Sequence, residues 1–237
     1  MATPERRSAP TVFEVRARKG DSGAVVVEGH AAVFNRLSKN LGGFVEQVAP
    51  TAFDRSLGDN PDVRALINHD PSKLLGRTRS GTLRLAKDSE GLAYEIDIPD
   101  RSDARDLLVS MERGDLTHSS FAFFVMKNGD EWAETEQGMP LRTLTGLSIH
   151  DGDVSPVTYP AYEDTDSGVA GRAYKSLAEV RNLDVDTIRA AAEAGSLRDL
   201  ILGEQPAEDL GETRSSALAV ARARLDLMRP RTLRDLG

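Results

Sequence analysis

A pair of serines precedes a hydrophobic run in the segment LTHSSFAFFV, residues 116–125. A serine hydroxyl becomes an effective nucleophile only when a nearby base takes its proton, and histidine is the commonest such base. Because side chains alternate along a strand, Ser119 shares a face with Phe121 and is expected in the core. Ser120 lies on the opposite face beside the small Ala122, a face that we expect to be accessible. If the pair contains a nucleophile, Ser120 is the better candidate and Ser119 the alternative; otherwise both hydroxyls bond to nearby backbone.

Four histidines could act as the base for such a serine, and they are His30, His69, His118 and His150. His69 follows VRALIN, which is typical of a buried strand, and precedes Asp70-Pro71, where we expect the chain to turn. Side chains at the ends of rigid elements often face clefts, so His69 is well placed to be a catalytic base. The alternative interpretation is a residue that simply ends a strand.

A third segment, LSIHDGDVSPVTYPAYEDTD at residues 147–166, could supply the group that orients a catalytic imidazole. It brings His150, Asp151 and Asp153 together just before a strand-like stretch. These side chains, with those around Asp70, are also of types that bind metal ions. No HExxH or EF-hand spacing is present, so we predict neither a metal site nor a bound cofactor. The aspartates could equally belong to a solvated turn.

Strand-like segments with alternating apolar and polar residues dominate the first 166 residues, and clusters of Gly, Asn and Asp separate them. The clearest is GLAYEIDI at residues 91–98, and two helices are predicted at residues 50–60 and 102–114. Many short strands with this spacing predict a mainly β fold with helices, built as a barrel or a sandwich.

The composition changes after residue 166, where Ala, Leu, Arg and Glu become frequent. Helices are predicted at 177–194, 196–202 and 215–228, and SLAE at 176–179 has the pattern of a capping box. We therefore expect a flexible N-terminus over residues 1–10, a strand-rich domain over 11–166 and a helical tail over 167–237. The tail is a candidate for partial disorder or for removal by cleavage.

Charge and composition exclude several classes of function. The net charge is −8, with 38 acidic and 30 basic side chains well mixed, so we expect no nucleic-acid partner. The chain has no cysteine, which excludes thiolate nucleophiles and disulfides. The start, MATPERRSAP, lacks the apolar core of a signal peptide, and the longest apolar run spans only residues 121–126. We expect an intracellular protein without a membrane partner.

Six segments, taken in order, resemble the prohead (capsid-maturation) proteases of tailed bacteriophages. They are GHAAVFN at 29–35, GGFVEQVAPTAFDRSL at 42–57, LINHDPSKLLGRT at 66–78, DSEGLAYEIDIP at 88–99, THSSFAFFV at 117–125 and DVSPVTYPAY at 153–162. No single motif is specific, but the order of all six carries the resemblance. It implies a fold similar to the herpesvirus assemblins, a β-barrel core surrounded by helices.

The resemblance also implies which residues carry the chemistry. The family histidine corresponds to His69, and the family serine, within an S-x-G-F pattern, corresponds to Ser120, although Ala122 replaces the usual glycine. Phage relatives usually place glutamate before V-S-x-V, and that position is Asp153 here. Because assemblins use a second histidine as the third member, His150 is the alternative to Asp153.

The implied function is a serine endopeptidase that processes capsid and scaffold protein, and itself, during procapsid maturation. Its partners would be the major capsid protein with its scaffold segment, and its place the assembling procapsid in the host cytoplasm. A homo-oligomer is left open. The alternative is a non-catalytic scaffold or capsid-assembly protein that retains the protease fold.

Overall fold

The computed structural model describes residues 4–8, 16–19, 25–159 and 167–203. The strands are β1 (Glu5–Ser8), β2 (Arg16–Lys19), β3 (Val25–Val33), β4 (Val45–Val48), β5 (Arg64–Ile67), β6 (Asp70–Arg77), β7 (Leu83–Lys87), β8 (Gly91–Asp97), β9 (His118–Val125), β10 (Asp130–Glu134), β11 (Pro140–Leu144) and β12 (Leu147–Val157). The helices are α1 (Asp54–Gly58), α2 (Ser102–Glu112), α3 (Ser167–Arg181), α4 (Val185–Glu193) and α5 (Leu197–Leu202).

The described strands form three sheets. Their orders are β1-β9-β12-β5-β6, β10-β11-β4 and β2-β3-β8-β7. The pairs β12–β5 and β11–β4 are parallel, and the other pairs are antiparallel. The expectation of a mainly β fold with helices is confirmed, but the described strands do not close into the expected barrel. In the five-stranded sheet β1 and β6 are the edge strands. A closed barrel would require hydrogen-bonded pairing at both of these edges.

An apolar core fixes the inner face of β9. The Phe121 and Phe123 rings stack with centroids 4.8 Å apart, and Phe53 meets Phe121 edge-on at 5.7 Å. All three side chains are buried in one cluster with the alternate residues of β8 that the sequence pattern predicts. A slip of β9 by one residue would expose these rings, so burial sets its register.

Helices α3 to α5 build a second apolar cluster, and α5 packs against β10 and β11 of the three-stranded sheet. Phe44 is fully buried there, 5.2 Å from the Trp132 ring and 6.1 Å from the Tyr174 ring. The sequence predicts a helix starting at the SLAE capping box, but α3 begins earlier and Ser176 lies inside it, donating its hydroxyl to Asp130. Asp184 caps α4 instead. The helix predicted at 215–228 lies outside the described residues.

The N-terminal segment differs from its prediction. Residues 1–10 are expected to be flexible, but Glu5–Ser8 pairs with β9 as an edge strand of the site-bearing sheet. Among the described side chains of this strand, Glu5 and Arg7 are the buried ones, so no apolar alternation marks the strand in the sequence. Charge pairing, which apolar periodicity does not detect, holds β1 in place.

A buried network of charged side chains connects four strands. Arg7 donates to both oxygens of Glu46 at 2.5 and 3.0 Å, and Arg142 donates to Glu46 at 3.0 Å and to Asp130 at 2.7 Å. Glu5 accepts from Arg7 at 2.8 Å. Burial opposes ionisation of Glu46, but the two guanidinium groups outweigh it and lower the pKa of that carboxyl. Removing one partner of such a buried set leaves an uncompensated charge.

We predict that Glu46→Gln lowers the free energy of unfolding by about 3 kcal/mol, because Arg7 and Arg142 lose their shared anion. Glu95→Gln is the matched control, since Glu95 also accepts from two arginines but at the surface, and it should change stability by less than about 0.5 kcal/mol. Urea unfolding measures both. Equal losses in the two variants would contradict the role of burial.

The lowered pKa of Glu46 predicts that the free energy of unfolding depends on pH. Because its pKa is lower in the folded state than the ordinary value of 4.5, Glu46 stabilises the fold fully above that value. This contribution is lost as the pH falls through the folded pKa, so wild type and Glu46→Gln should converge in stability in acid. A difference in stability between wild type and Glu46→Gln that increased below pH 4.5 would contradict this prediction.

Candidate active site

Two paired strands place the polar residues of the site on one face. Ser120 of β9 stands opposite Ser155 of β12, and Ala122 stands opposite Asp153. Residues directly opposite each other in an antiparallel pair project from the same side of the sheet. The hydroxyl of Ser120 and the carboxylate of Asp153 therefore share a face, with the small Ala122 leaving room between them.

The turn between β5 and β6 presents His69 to this face. Asn68 and His69 are its two central residues, with φ of 52° and 57°, and Ile67 pairs with Asp70 across it. Two-residue hairpin turns of type I′ require positive φ at both central positions. The turn predicted at Asp70-Pro71 is thus displaced, because Asp70 begins β6 and the histidine itself occupies the turn.

The turn is attached to the end of β12 by Asn68. The Asn68 backbone N–H donates to the Pro156 carbonyl at 3.0 Å, and the side-chain carbonyl accepts from the Thr158 N–H at 2.8 Å. The His69 N–H donates to Ser155 Oγ at 3.2 Å. These bonds fix the backbone on which the imidazole stands, so the ring is positioned before any ligand arrives.

Ser120, His69 and Asp153 form a continuous hydrogen-bonded chain. His69 Nε2 lies 2.7 Å from Ser120 Oγ, and His69 Nδ1 lies 2.6 Å from Asp153 Oδ1. In this geometry the carboxylate holds the proton on Nδ1, which leaves Nε2 free to take the hydroxyl proton. The arrangement can activate a serine for attack on a carbonyl.

Ser155 is a member of the site that the sequence analysis did not single out. Its hydroxyl donates to Asp153 Oδ1 at 2.7 Å while accepting from the His69 backbone. Its hydroxyl therefore contacts both Asp153 and the backbone that carries the His69 ring. Only its position two residues after Asp153 in the strand could have indicated it, since period two places both on one face.

Burial of the site is greater than predicted. Ser120 is 1% exposed, not on an accessible face, because the His69 turn covers it on one side and β1 on the other. Its Oγ also lies 2.9 Å from the Arg7 carbonyl oxygen. Alternation along the strand predicts the face of a residue correctly, but remote segments decide whether that face is covered.

The remaining candidate residues lie apart from this chain of bonds. Ser119 is fully buried and its hydroxyl lies 2.6 Å from the Tyr94 hydroxyl, as expected for a core position. His150 is an exposed residue whose Nδ1 accepts from the Asp62 N–H at 3.2 Å, in the segment where β12 loses register with β9. The structure thus brings Asp153, and not His150, to His69.

The two other histidines also have local partners, with His30 2.7 Å from Asp88 and His118 3.2 Å from Thr117. Within the described ranges, no group of three or more His, Asp or Glu side chains could hold a metal ion. No helix in those ranges is long and apolar enough to cross a membrane.

The hydrogen-bond pattern is that of the Ser–His–Asp class of hydrolases. The sequence matches the family model described as caudovirus prohead serine protease over residues 11–180, so the chain belongs to that family. Among solved structures, it is similar to the bacteriophage T4 capsid assembly protease, with 9% identity and a TM-score of 0.34, over 64% of this chain and 98% of the other. No curated protein sequence matches the chain.

The turn that carries the histidine generates a prediction about Asn68. Asn68→Ala should lower the free energy of unfolding by about 2 kcal/mol, since it loses hydrogen bonds to Thr158 and forces alanine into positive φ. Asn68→Gly loses the same bonds but accepts positive φ, so its loss should be only about 1 kcal/mol. Urea unfolding of both variants tests this. Equal losses in the two variants would contradict the contribution assigned to the positive φ of residue 68.

Proposed function

We propose that this chain is a serine endopeptidase in which Ser120 is the nucleophile, His69 the general base and Asp153 the group that orients His69. One observation carries the assignment, namely the unbroken path from Ser120 Oγ through both ring nitrogens of His69 to Asp153 Oδ1. Membership of the prohead serine protease family supports the same reaction. Aspartate is one methylene shorter than the glutamate usual in relatives, and its 2.6 Å contact with His69 Nδ1 supports the assignment of Asp153 to this role.

The reaction follows from these contacts. Ser120 Oγ bonds to the peptide carbonyl carbon while its proton moves to His69 Nε2, and Asp153 stabilises the imidazolium. His69 then gives that proton to the leaving amine as the carbon–nitrogen bond breaks, which leaves an ester on Ser120. Water, deprotonated by His69, attacks the ester and releases the carboxylic acid, and the proton returns to Ser120.

The family name supports the proposed setting of this reaction. We propose that the substrates are the major capsid protein with its scaffold segment and the chain itself, cleaved inside the assembling procapsid in the host cytoplasm. The expected division into a protease domain over 11–166 and a removable tail over 167–237 stays a prediction. The family match runs to residue 180, well into α3.

The nucleophile is tested by separating the two serines. Ser120→Ala should lower peptide hydrolysis by about 10⁶-fold and abolish labelling by a fluorophosphonate, because it removes the attacking atom. Ser119→Ala removes only a hydrogen bond to Tyr94 and should keep hydrolysis and labelling close to wild type. Labelled peptides located by mass spectrometry would identify the site. Wild-type capsid processing by Ser120→Ala would overturn the nucleophile assignment, whereas a wild-type chain that neither labels nor hydrolyses peptides would favour a non-catalytic assembly protein.

The proposed role of Asp153 is tested by the same kind of comparison. Asp153→Asn should lower the turnover rate by about 10⁴-fold, because an amide at this position stabilises the wrong tautomer of His69. His150→Ala is the control and should keep the wild-type rate, since His150 does not contact His69. The reverse order of effects would assign the role to His150.

A further inference from the structure

Strand β1 lies beside the proposed nucleophile on the side of β9 away from β12. It runs antiparallel to β9, with Arg7 opposite Phe121 and Ser8 opposite Ser120. Extended peptides commonly bind proteins by adding a strand to the edge of a sheet. Without β1, this side of β9 would be an edge next to Ser120, which is where an extended substrate would pair.

The contact between β1 and Ser120 is a hydrogen bond that fills the site, and its geometry is not that of a peptide bond under attack. The Arg7 carbonyl presents its oxygen to Ser120 Oγ at 2.9 Å. The hydroxyl has one proton, so the Arg7 carbonyl competes with His69 Nε2 for it. Attack requires the carbonyl carbon to face Oγ while the oxygen points to other donors. While β1 is in place, it blocks substrate and diverts the proton.

The side chain of Arg7 fills a pocket built to receive a guanidinium group. Glu46 accepts from Arg7 through both carboxylate oxygens, and the Arg7 guanidinium carbon lies 5.4 Å from the Phe123 ring centroid. Arg7 and Glu46 are each 1% exposed. Two parallel bonds to a carboxylate together with a facing ring favour arginine over lysine.

If β1 is removed, the charged side chains that remain in the pocket can accept one further cation. Glu46 and Asp130 are two carboxylates, and both are shared with the single guanidinium of Arg142. Among these three side chains the two carboxylates exceed the guanidinium group by one negative charge, and Glu46 Oε1 is the oxygen that Arg7 Nε contacts. A buried anion of this kind stabilises an arriving arginine and disfavours an acidic side chain.

A groove continues from β1 along β9. A cavity of about 660 Å³ begins at Glu5 and runs beside the end of β9 toward α3. Its lining includes Glu5, Phe124, Met126, Arg142, Arg172 and Lys175. An extended peptide in the place of β1 would have room here for the residues that precede its arginine.

We infer that β1 occupies the substrate groove of this enzyme, and that the Glu46 pocket selects arginine on the acyl side of the bond that Ser120 attacks. This inference rests on the proposed function. It is supported by the family match, which begins at residue 11 and does not include β1. Displacement of Glu5–Ser8 frees the hydroxyl, the pocket and the edge of β9 together.

The first arm of the test compares two arginines of the same strand in the full chain. Arg7→Ala should raise the rate of fluorophosphonate labelling at Ser120 by about 10-fold or more, because it removes the charged bonds that hold β1. Arg6→Ala is the matched control, since Arg6 is exposed, and should label like wild type. Circular dichroism checks folding, and Arg7→Met, which keeps side-chain volume, serves if Arg7→Ala is unfolded.

The second arm measures specificity in the same full-chain variants. Heptapeptides with the sequence of residues 4–10, PERRSAP, are varied only at the position of Arg7 to lysine, alanine or glutamate. The arginine peptide should be hydrolysed about 10-fold faster than the alanine peptide, and the glutamate peptide slowest. Mass spectrometry should find cleavage after the varied residue.

The outcomes separate the two proposals. Labelling of Arg7→Ala at the wild-type rate, or faster hydrolysis of the alanine or glutamate peptide, would overturn the inference while leaving the protease assignment intact. Failure of every folded variant to label at Ser120 or to cleave any peptide would overturn the proposed function, and the inference with it.

Discussion

The register between β9 and β12 is the constraint on which the site depends. It places Ser155 opposite Ser120 and Asp153 opposite Ala122, so that one face of the sheet collects the hydroxyl and the carboxylate. A slip of β9 by one residue would turn the Ser120 side chain into the core, on the face opposite the Asp153 carboxylate. Burial of two phenylalanines on the other face of β9 prevents this slip, at about 2 kcal/mol or more for each side chain.

His69 reaches this face because the tight turn between β5 and β6 holds it there. His69 has positive φ, a conformation that costs a residue with a Cβ about 1 kcal/mol or more. Hydrogen bonds from Asn68 to the end of β12 and from the His69 N–H to Ser155 offset that cost. The His69 ring is thus oriented by β12, the strand that carries Asp153. The register of β12 against β9 therefore places both Asp153 and Ser120 within reach of the imidazole.

Patterns that depend on neighbouring residues could be predicted from the sequence. The alternation in β9 places Ser119 in the core and Ser120 on the other face, and β8 and α2 lie where periodicity indicates. Features that depend on distant residues could not be predicted. β1 is held by buried charges and not by apolar residues, and the Asn68–His69 turn lacks the glycine that usually marks such turns.

The burial of Ser120 is the clearest feature that could not be predicted from neighbouring residues. Strand period identifies the face of a side chain, whereas burial depends on β1 and on the β5–β6 turn, which come from other parts of the chain. The open sheets in place of a closed barrel also follow from pairings between distant strands. Ser155 was missed because a serine in a strand has no distinctive pattern, although its hydroxyl contacts both His69 and Asp153.

The most direct test of the account is whether Ser120 and His69 act as one unit. Peptide hydrolysis should be measured for Ser120→Ala, His69→Ala and the double variant. Residues that act together lose their effect together, so the double variant should be no slower than Ser120→Ala alone. Losses that multiply in the double variant would show two independent contributions and would contradict the catalytic arrangement.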